Sequence, residues 1–294
     1  MIDIGARVVV RYRLPAGSAP PLTDVIGHLL EVGPTLRVRT KRGDVVEISA
    51  DDVVTIKALA AAPVRTGDIR NLEHAAALAW PGFEHEWVDG WLLRFGHGST
   101  RRANSAVPLA VSTGSDVSAL VNWYAARGVA PLVAAPDRLF RIPPGVPTDA
   151  ETLVMTGEFG SAAPDASVTL AVRPDDEWLR LYRRDVPVDV LTAVIDGEVV
   201  FATTAGAAVG RATVTAAPDG TRLVGLSAVH VVEEARRRGL ARELCWALLA
   251  WGGERGATRA YVQVLADNTA GTRLYESMGF TVHHRSRYID ARSL

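Results

Sequence analysis

The sequence predicts an α+β protein in which a small five-stranded β-barrel precedes a mixed, mostly antiparallel sheet flanked by helices. Three observations carry this. Five short β-branched runs crowd residues 1–58, separated by Pro, Gly and Asp turn signals. From residue 64 onward, apolar residues at helical spacing alternate with strand-like runs, and the order helix, strands, helix, strand comes round twice, over 64–160 and 166–294. Finally, an apolar strand from Leu226 runs straight into Arg236-Arg237-Arg238-Gly239-Leu240-Ala241, and an amphipathic helix follows to about Glu254.

Taken in order, Arg7–Arg13, Asp24–Leu30, Leu36–Thr40, Val45–Ile48 and Val53–Ile56 are the barrel strands, with a hairpin at Lys41-Arg42-Gly43-Asp44. This size and strand count suit an SH3-like or Tudor-like barrel. Its eight basic and seven acidic residues nearly cancel, which argues against a nucleic-acid footprint and favours an accessory role. Ala58–Pro63 is the expected linker.

The stretch 64–160 predicts a helix over Asp68–Trp80, a strand pair at Trp87–Phe95 and Thr100–Val107, a helix over Asp116–Arg127 capped by Ser115 or Asp116, and a strand at Thr152–Glu158. The second round predicts a helix over Asp175–Tyr182, a strand or further helix at Val190–Ile195, and a three-stranded meander at Glu198–Ala205, Ala207–Ala216 and Thr221–Val231. The Arg-rich turn and its helix follow, then a strand at Ala260–Val264, a helix over Asn268–Met278 and a last strand at Phe280–Tyr288.

At 294 residues, 48% apolar and 22% charged, the chain is long enough for two or three cored domains. A net charge of −1 gives no reason to expect binding to nucleic acid or an anionic membrane. No leader and no membrane-spanning run are visible, so a cytoplasmic protein is expected. The lone cysteine, Cys245, excludes an intrachain disulfide and a cysteine-based metal cluster, and no metal is expected.

A strand, a short basic turn with glycine and then a helix make an anion site. The free N–H groups of a first helical turn point at the anion, the helix dipole favours negative charge there, and arginines add charge-assisted contacts. Gly239 lets backbone approach where a Cβ would obstruct it. Taken alone the pattern is weak, because 30 of the 32 basic residues are arginine. Its context adds weight. After the strand Ala260–Val264 comes Asn268-Thr-Ala-Gly-Thr-Arg-Leu-Tyr-Glu-Ser-Met-Gly-Phe280.

With both segments in place, residues of about 170–290 resemble the GNAT superfamily of acetyl-CoA-dependent N-acetyltransferases. Arg236-x-x-Gly239-x-Ala241 resembles its pyrophosphate loop, and Asn268 to Phe280 its second cofactor segment. The resemblance implies acetyl-CoA as co-substrate, a mixed sheet with tandem halves, and a first half over 64–160 that lacks the cofactor loop. It implies cofactor contacts at Val229, His230 and Val231, through backbone alongside the pantetheine, and at Arg236, Arg237, Arg238, Gly239, Leu240, Ala241, Asn268, Gly271 and Tyr275. An N–H of the Val229–Val231 strand is the expected oxyanion donor. Gly271 lies one turn before Tyr275 and is expected to leave room for the pantetheine.

Tyr275 is the candidate acid for the departing thiolate, since unperturbed thiols and phenols lie near 8.5 and about 10. For the base, His230 is the candidate, with His283, His284 and a water chain as rivals. Arg94 and Arg101, read together with Arg102 and Asn104 as strand residues, are the candidate substrate contacts, suited to a carboxylate. The acceptor class expected is a small amino-acid-like amine, glutamate among the candidates, because the architecture also resembles actinobacterial N-acetylglutamate synthase-like proteins. Two alternatives stand beside it: a protein lysine or N-terminal acetyltransferase whose barrel recruits the target, and a non-catalytic acyl-CoA-binding adaptor. A homodimer is compatible with the sequence.

Overall fold

Alternation decides which face of the first four N-terminal strands is buried. In the computed structural model, which describes all residues except 1, 3, 41, 42, 60–63, 114, 115, 160–166 and 205, the first unit spans Met1–Pro63. It holds β1 (Arg7–Arg13), β2 (Leu22–Glu31), β3 (Thr35–Thr40), β4 (Val45–Ser49) and β5 (Val53–Ala58) in the antiparallel order β4-β3-β2-β1-β5. Val8, Val10, Val25, Leu29, Leu36, Val38 and Ile48, two or four apart along their strands, form its own core. Gly27 is required by close approach, since a Cβ there would lie 2.1 Å from the Arg39 carbonyl oxygen. The Lys41-Arg42 tip and most of the expected linker fall outside the described residues.

Val64–Leu294 is the second unit. Its first half contains α1 (Thr66–Leu78), β6 (Glu84–Val88), β7 (Trp91–Phe95), β8 (Ser105–Pro108), α2 (Ser118–Ala125), β9 (Leu132–Pro136) and β10 (Asp149–Gly157). The second half contains β11 (Val168–Ala171), α3 (Asp176–Tyr182), α4 (Val188–Thr192), β12 (Glu198–Thr204), β13 (Ala208–Ala216), β14 (Arg222–Val231), α5 (Leu240–Glu254), β15 (Arg259–Leu265), α6 (Thr269–Glu276) and β16 (Thr281–Asp290). All eleven strands join one sheet in the order β11-β12-β13-β14-β15-β10-β16-β9-β8-β7-β6. Among the described strands, only the β14–β15 and β8–β9 pairs run parallel.

The halves are interleaved rather than merely adjacent. Strand β10 lies between β15 and β16, bonded to both, and Thr152–Gly157 is buried without a break, as a strand covered on both faces must be. Helix α5 packs Leu244, Cys245, Leu248 and Leu249 against β12, β13 and β14. It sits so close that a Cβ on Gly252 would come within 2.6 Å of Val224. Among the described residues no helix is long and apolar enough to cross a membrane.

Two local departures from the sequence reading, and one point it left open, follow. The strand expected over Trp87–Phe95 is a hairpin, because Asp89 (φ 46°) and Gly90 (φ 84°) turn the chain. The strand expected over Thr100–Val107 begins only at Ser105, after a 3-10 turn over Arg102–Asn104. The Asn104 side chain holds that loop, accepting from Gly96 N–H (2.8 Å) and Gly98 N–H (2.9 Å) and donating to Thr100 O (2.7 Å). Val190–Ile195, left open between strand and helix, contributes to helix α4.

Candidate active site

The site begins where two strands part. β14 and β15 pair only from Leu223–Leu226 to Arg259–Val262. Beyond that point β14 stays with β13 and β15 stays with β10. A bulge accompanies the divergence. Ser227 pairs with Arg211 and His230 with Val209, so Ala228 and Val229 stand opposite Gly210 alone, and Ala228 takes φ 54°. The two strand ends splay into a cleft of ≈ 1020 Å³, large enough for an extended ligand.

Val229, His230 and Val231 form one flank of this cleft, and Val262–Leu265 the other. At one end stands the Arg-rich turn. Arg237 (φ 61°) and Gly239 (φ 88°) swing the chain into α5. The first amides of that helix are left without intrahelical acceptors. Arg236, Arg237, Gly239, Leu240 and Ala241 line the cleft, while Arg238 is exposed and stands outside the lining. Arg236 Nε donates to Val231 O at 3.3 Å, tying the turn to the strand. Arg242 and Arg273 add two further guanidinium groups that the motif did not single out.

Helix α6 forms the next wall. Asn268 caps it, its Oδ1 accepting from Gly271 N–H at 3.0 Å, and both residues line the cleft. A Cβ on Gly271 would come within 2.7 Å of Asn268 Nδ2 and 3.1 Å of Val264 Cγ2. Glycine is thus already demanded by the cap and the strand beneath it. Tyr275, one turn on, reaches the cleft with only 6% of its surface exposed and packs on Phe280 with ring centroids 5.8 Å apart. Burial pushes its phenol well above the ordinary value, the neighbouring Cys245 adds to this, and Arg102 opposes it. Cys245 itself is fully buried with its thiol pushed up to about 12, so it is an inert core residue.

His230 lines the cleft, and its Nε2 is buried with no hydrogen-bond partner. Burial lowers its pKa first, and Arg236, Arg183 and Arg184 lower it further. The rivals lie elsewhere: neither His283 nor His284 lines the cleft, and His284 is bonded to Glu73.

The arginines read as substrate contacts are distributed differently. Arg94 is absent from the cleft. It is 4% exposed, with Nε donating to Ser105 O (3.0 Å) and a terminal nitrogen to Ser105 Oγ (2.9 Å), so its charge-bearing fork is spent on the loop. Arg101 is exposed and pairs with Asp149 at 2.5 Å, outside the lining. The 3-10 turn brings Arg102 to the cleft instead, with its guanidinium carbon 5.7 Å from the Trp80 ring centroid and a terminal nitrogen donating to Gln263 O at 3.5 Å. Arg101 and Arg102, expected on a strand, lie instead at the start of a 3-10 turn.

Trp80, Tyr182 and Arg184 also line the cleft and carried no signal in the sequence beyond residue type. Behind Trp80, the fully buried Arg211 stacks at 4.2 Å and donates to Leu191 O (2.7 Å), Ala79 O (2.9 Å) and Ala193 O (3.1 Å). Burial lowers its pKa to about 9, which still leaves it cationic at neutral pH. Its bonds fix the ends of α1 and α4 against β13.

Comparison with known proteins is consistent along the whole chain. Residues 66–289 match the family described as "Probable histone acetyltransferase Rv0428c C-terminal", and residues 2–57 match "Rv0428c N-terminal Sm-like domain". A Mycobacterium tuberculosis protein named "Probable histone acetyltransferase Rv0428c" is 52% identical over 99% of this chain and 96% of its own length. The Bacillus subtilis N-acetyltransferase YobR is 24% identical over 73% of this chain and 95% of its own. Among solved structures, a GCN5-related N-acetyltransferase from Kribbella flavida shares the fold at TM-score 0.55 and 16% identity, covering 77% of this chain and 96% of that one. The parting strands, the Arg-turn, the capped helix and these matches lead to one conclusion: the chain belongs to the GNAT superfamily of N-acetyltransferases, in the family that carries a small Sm-like β domain at the N-terminal side.

Proposed function

We propose that this acetyltransferase takes acetyl-CoA as co-substrate and acetylates the amine of a small, amino-acid-like acceptor that carries a carboxylate, by direct attack. One observation carries the acceptor class. Among the described residues, those lining the cleft include Arg102 and Arg184 besides the arginines of the Arg-turn, and no aspartate or glutamate. A cationic protein tail would meet only like charge there, whereas a carboxylate finds a guanidinium seated on Trp80. The half over 64–160 supplies Trp80, Thr100 and Arg102 to this wall. We take that half to be a degenerate GNAT-like unit that shapes the acceptor end.

In this reading the first amides of α5, with Arg236 and Arg237, hold the diphosphate, and the free edge of Val229–Val231 runs beside the pantetheine arm. An N–H of that edge faces the thioester oxygen and stabilises the charge that develops as the amine attacks. His230, kept neutral by burial and three arginines, accepts a proton from the attacking nitrogen. Tyr275, kept protonated by burial, gives one to the departing sulfur.

A second reading, with a protein lysine or N-terminus as acceptor, is favoured by the name of the mycobacterial relative. Thiol release measured over a panel of amines separates the two. Turnover with glutamate or another acidic amine, and none with a lysine-rich peptide, supports the first. The reverse pattern removes it.

A further inference from the structure

His230 Nε2 and the Tyr275 phenol line the cleft without a hydrogen-bond partner among the described residues, and both have a part in the reaction above. The phenol of Tyr182 is in the same condition and has no part in it. Tyr182 lines the cleft, is 6% exposed and forms no hydrogen bond among the described residues. A hydroxyl taken out of bulk water costs free energy unless another group replaces water's bond, so an unbonded one in a cleft wall marks a place where a ligand supplies it.

Local sequence fixes this side chain. Asp175 caps α3, accepting from Trp178 N–H at 2.8 Å, and Trp178, Leu181 and Tyr182, three and four residues apart, bury one face of the helix. The Tyr182 ring packs on Trp178 with centroids 4.9 Å apart. Trp178 meets Phe201 edge-on at 5.2 Å and donates from Nε1 to Gly210 O at 3.1 Å. With its ring held in that core, Tyr182 offers the cleft its hydroxyl. Arg183 then ends the helix in the left-handed region, at φ 55°, and Arg184 lines the cleft beside it.

The surroundings say what the hydroxyl meets. Arg184, Arg102 and Arg211 all bear on Tyr182, and burial keeps the phenol protonated at neutral pH, so it can donate. Among the described residues neither Arg102 nor Arg184 stands in an ion pair, whereas Arg11, Arg37, Arg127 and Arg285 elsewhere do. A donor hydroxyl beside guanidinium groups that no acid neutralises suits an anionic oxygen. Arg102 also bears on Tyr275, and Arg184 on His230, the two groups that handle the reacting sulfur and nitrogen. The anion thus lies close to the reacting amine, as it does in an α-amino acid, where one carbon separates the two groups.

Resting on the acceptor reading above, we propose that Tyr182 Oη and the Arg102 guanidinium, one from each half of the sheet, together hold the α-carboxylate of an α-amino acid acceptor and so select it over a simple amine. Neither side chain alone fixes the group: Arg102 supplies charge, and the rigid phenol supplies direction. A site built to bond a polar group discriminates strongly against the analogue that lacks it.

The test uses the full chain with acetyl-CoA, the standard α-amino acids and, for each one turned over, the amine left when its α-carboxylate is removed. In Tyr182→Phe we expect the ratio of kcat/KM for the amino acid to that for its amine to fall about tenfold or more, through KM, with acetyl-CoA affinity by calorimetry within about twofold of wild type. In the double variant with Arg102→Met the ratio should fall by less than the product of the two single losses, since both side chains hold one group. An unchanged ratio in Tyr182→Phe, whatever the drop in turnover, overturns the clamp alone, because a merely structural tyrosine would depress both acceptors alike. Losses that multiply place the two side chains on different groups and overturn the shared clamp. A wild type that acetylates amines but no α-amino acid overturns the clamp and the acceptor class it rests on, and one that releases no thiol with any amine overturns the acetyl-transfer reading as well.

Discussion

Removing one oxygen atom from Tyr275 separates chemistry from architecture. The ring is 6% exposed, packed on Phe280 and set in the same core as Met278 and Cys245. Phenylalanine keeps all of that volume, so Tyr275→Phe should change stability by no more than about 1 kcal/mol. Burial holds the phenol above its ordinary value, so it stays protonated across the neutral range and contributes no limb of its own to the pH profile. The departing thiolate, near 8.5 when unperturbed, would have to leave unprotonated in the variant. Positioned acid catalysis contributes roughly 10²- to 10⁴-fold, and two decades correspond to about 2.7 kcal/mol of barrier. We predict a loss of kcat of about 10² or more in a continuous thiol-release assay, with acetyl-CoA affinity by calorimetry within about twofold of wild type. Turnover within twofold of wild type would refute the assignment. A matching loss of cofactor affinity would show instead that Tyr275 shapes the cleft.

Further outcomes follow from other residues. Gly239→Ala forces a Cβ into φ 88°, 3.3 Å from Glu243 Oε1. At about 1–2 kcal/mol for a left-handed non-glycine residue, coenzyme affinity should fall about 5- to 30-fold by calorimetry, and unchanged affinity would contradict the turn's role. Arg102→Met should raise KM for an acidic acceptor about 10- to 100-fold, the value of a charge-assisted contact, and leave a neutral amine unaffected. Equal effects on both would remove the carboxylate contact. His74, His230 and His283 all have lowered pKa values through burial, so the fold binds fewer protons than the unfolded chain below about 6.5. Stability is therefore full above pH 6.5 and declines as pH falls toward about 4. Melting curves should show a falling Tm over that window, less steep in His283→Gln, and a flat Tm would contradict this.

Much of the fold could be read from pattern, and its failures have physical causes. Strands β1 to β4 alternate because only one face is buried, which is the condition under which period-2 reasoning works. The Arg-rich turn into α5 and the Asn268 cap were legible because a glycine turn entering a helix and a helix cap both have local chemistry. The insertion of β10 between β15 and β16 was not, since pairing of distant strands leaves no local trace. Strands β9 and β11 were missed because they are short, five and four residues, and lack alternation. Arg94, Arg101 and Arg102 were all read as strand residues; Arg94 does lie on β7, but Arg101 and Arg102 fall at a 3-10 turn, and of the three Arg102 alone lines the cleft. Trp80 and Tyr182 sit at the ends of α1 and α3, where only the tertiary fold decides what they face.

The central claim is that the turn at Arg236–Ala241 holds the coenzyme's diphosphate and thereby sets its thioester beside Tyr275. A crystal grown with coenzyme A tests this most directly. We predict the diphosphate at the amides opening α5, the pantetheine in the gap between β14 and β15, and the sulfur at the phenol of Tyr275. Coenzyme bound elsewhere, or the gap left empty at saturating coenzyme, would contradict the account.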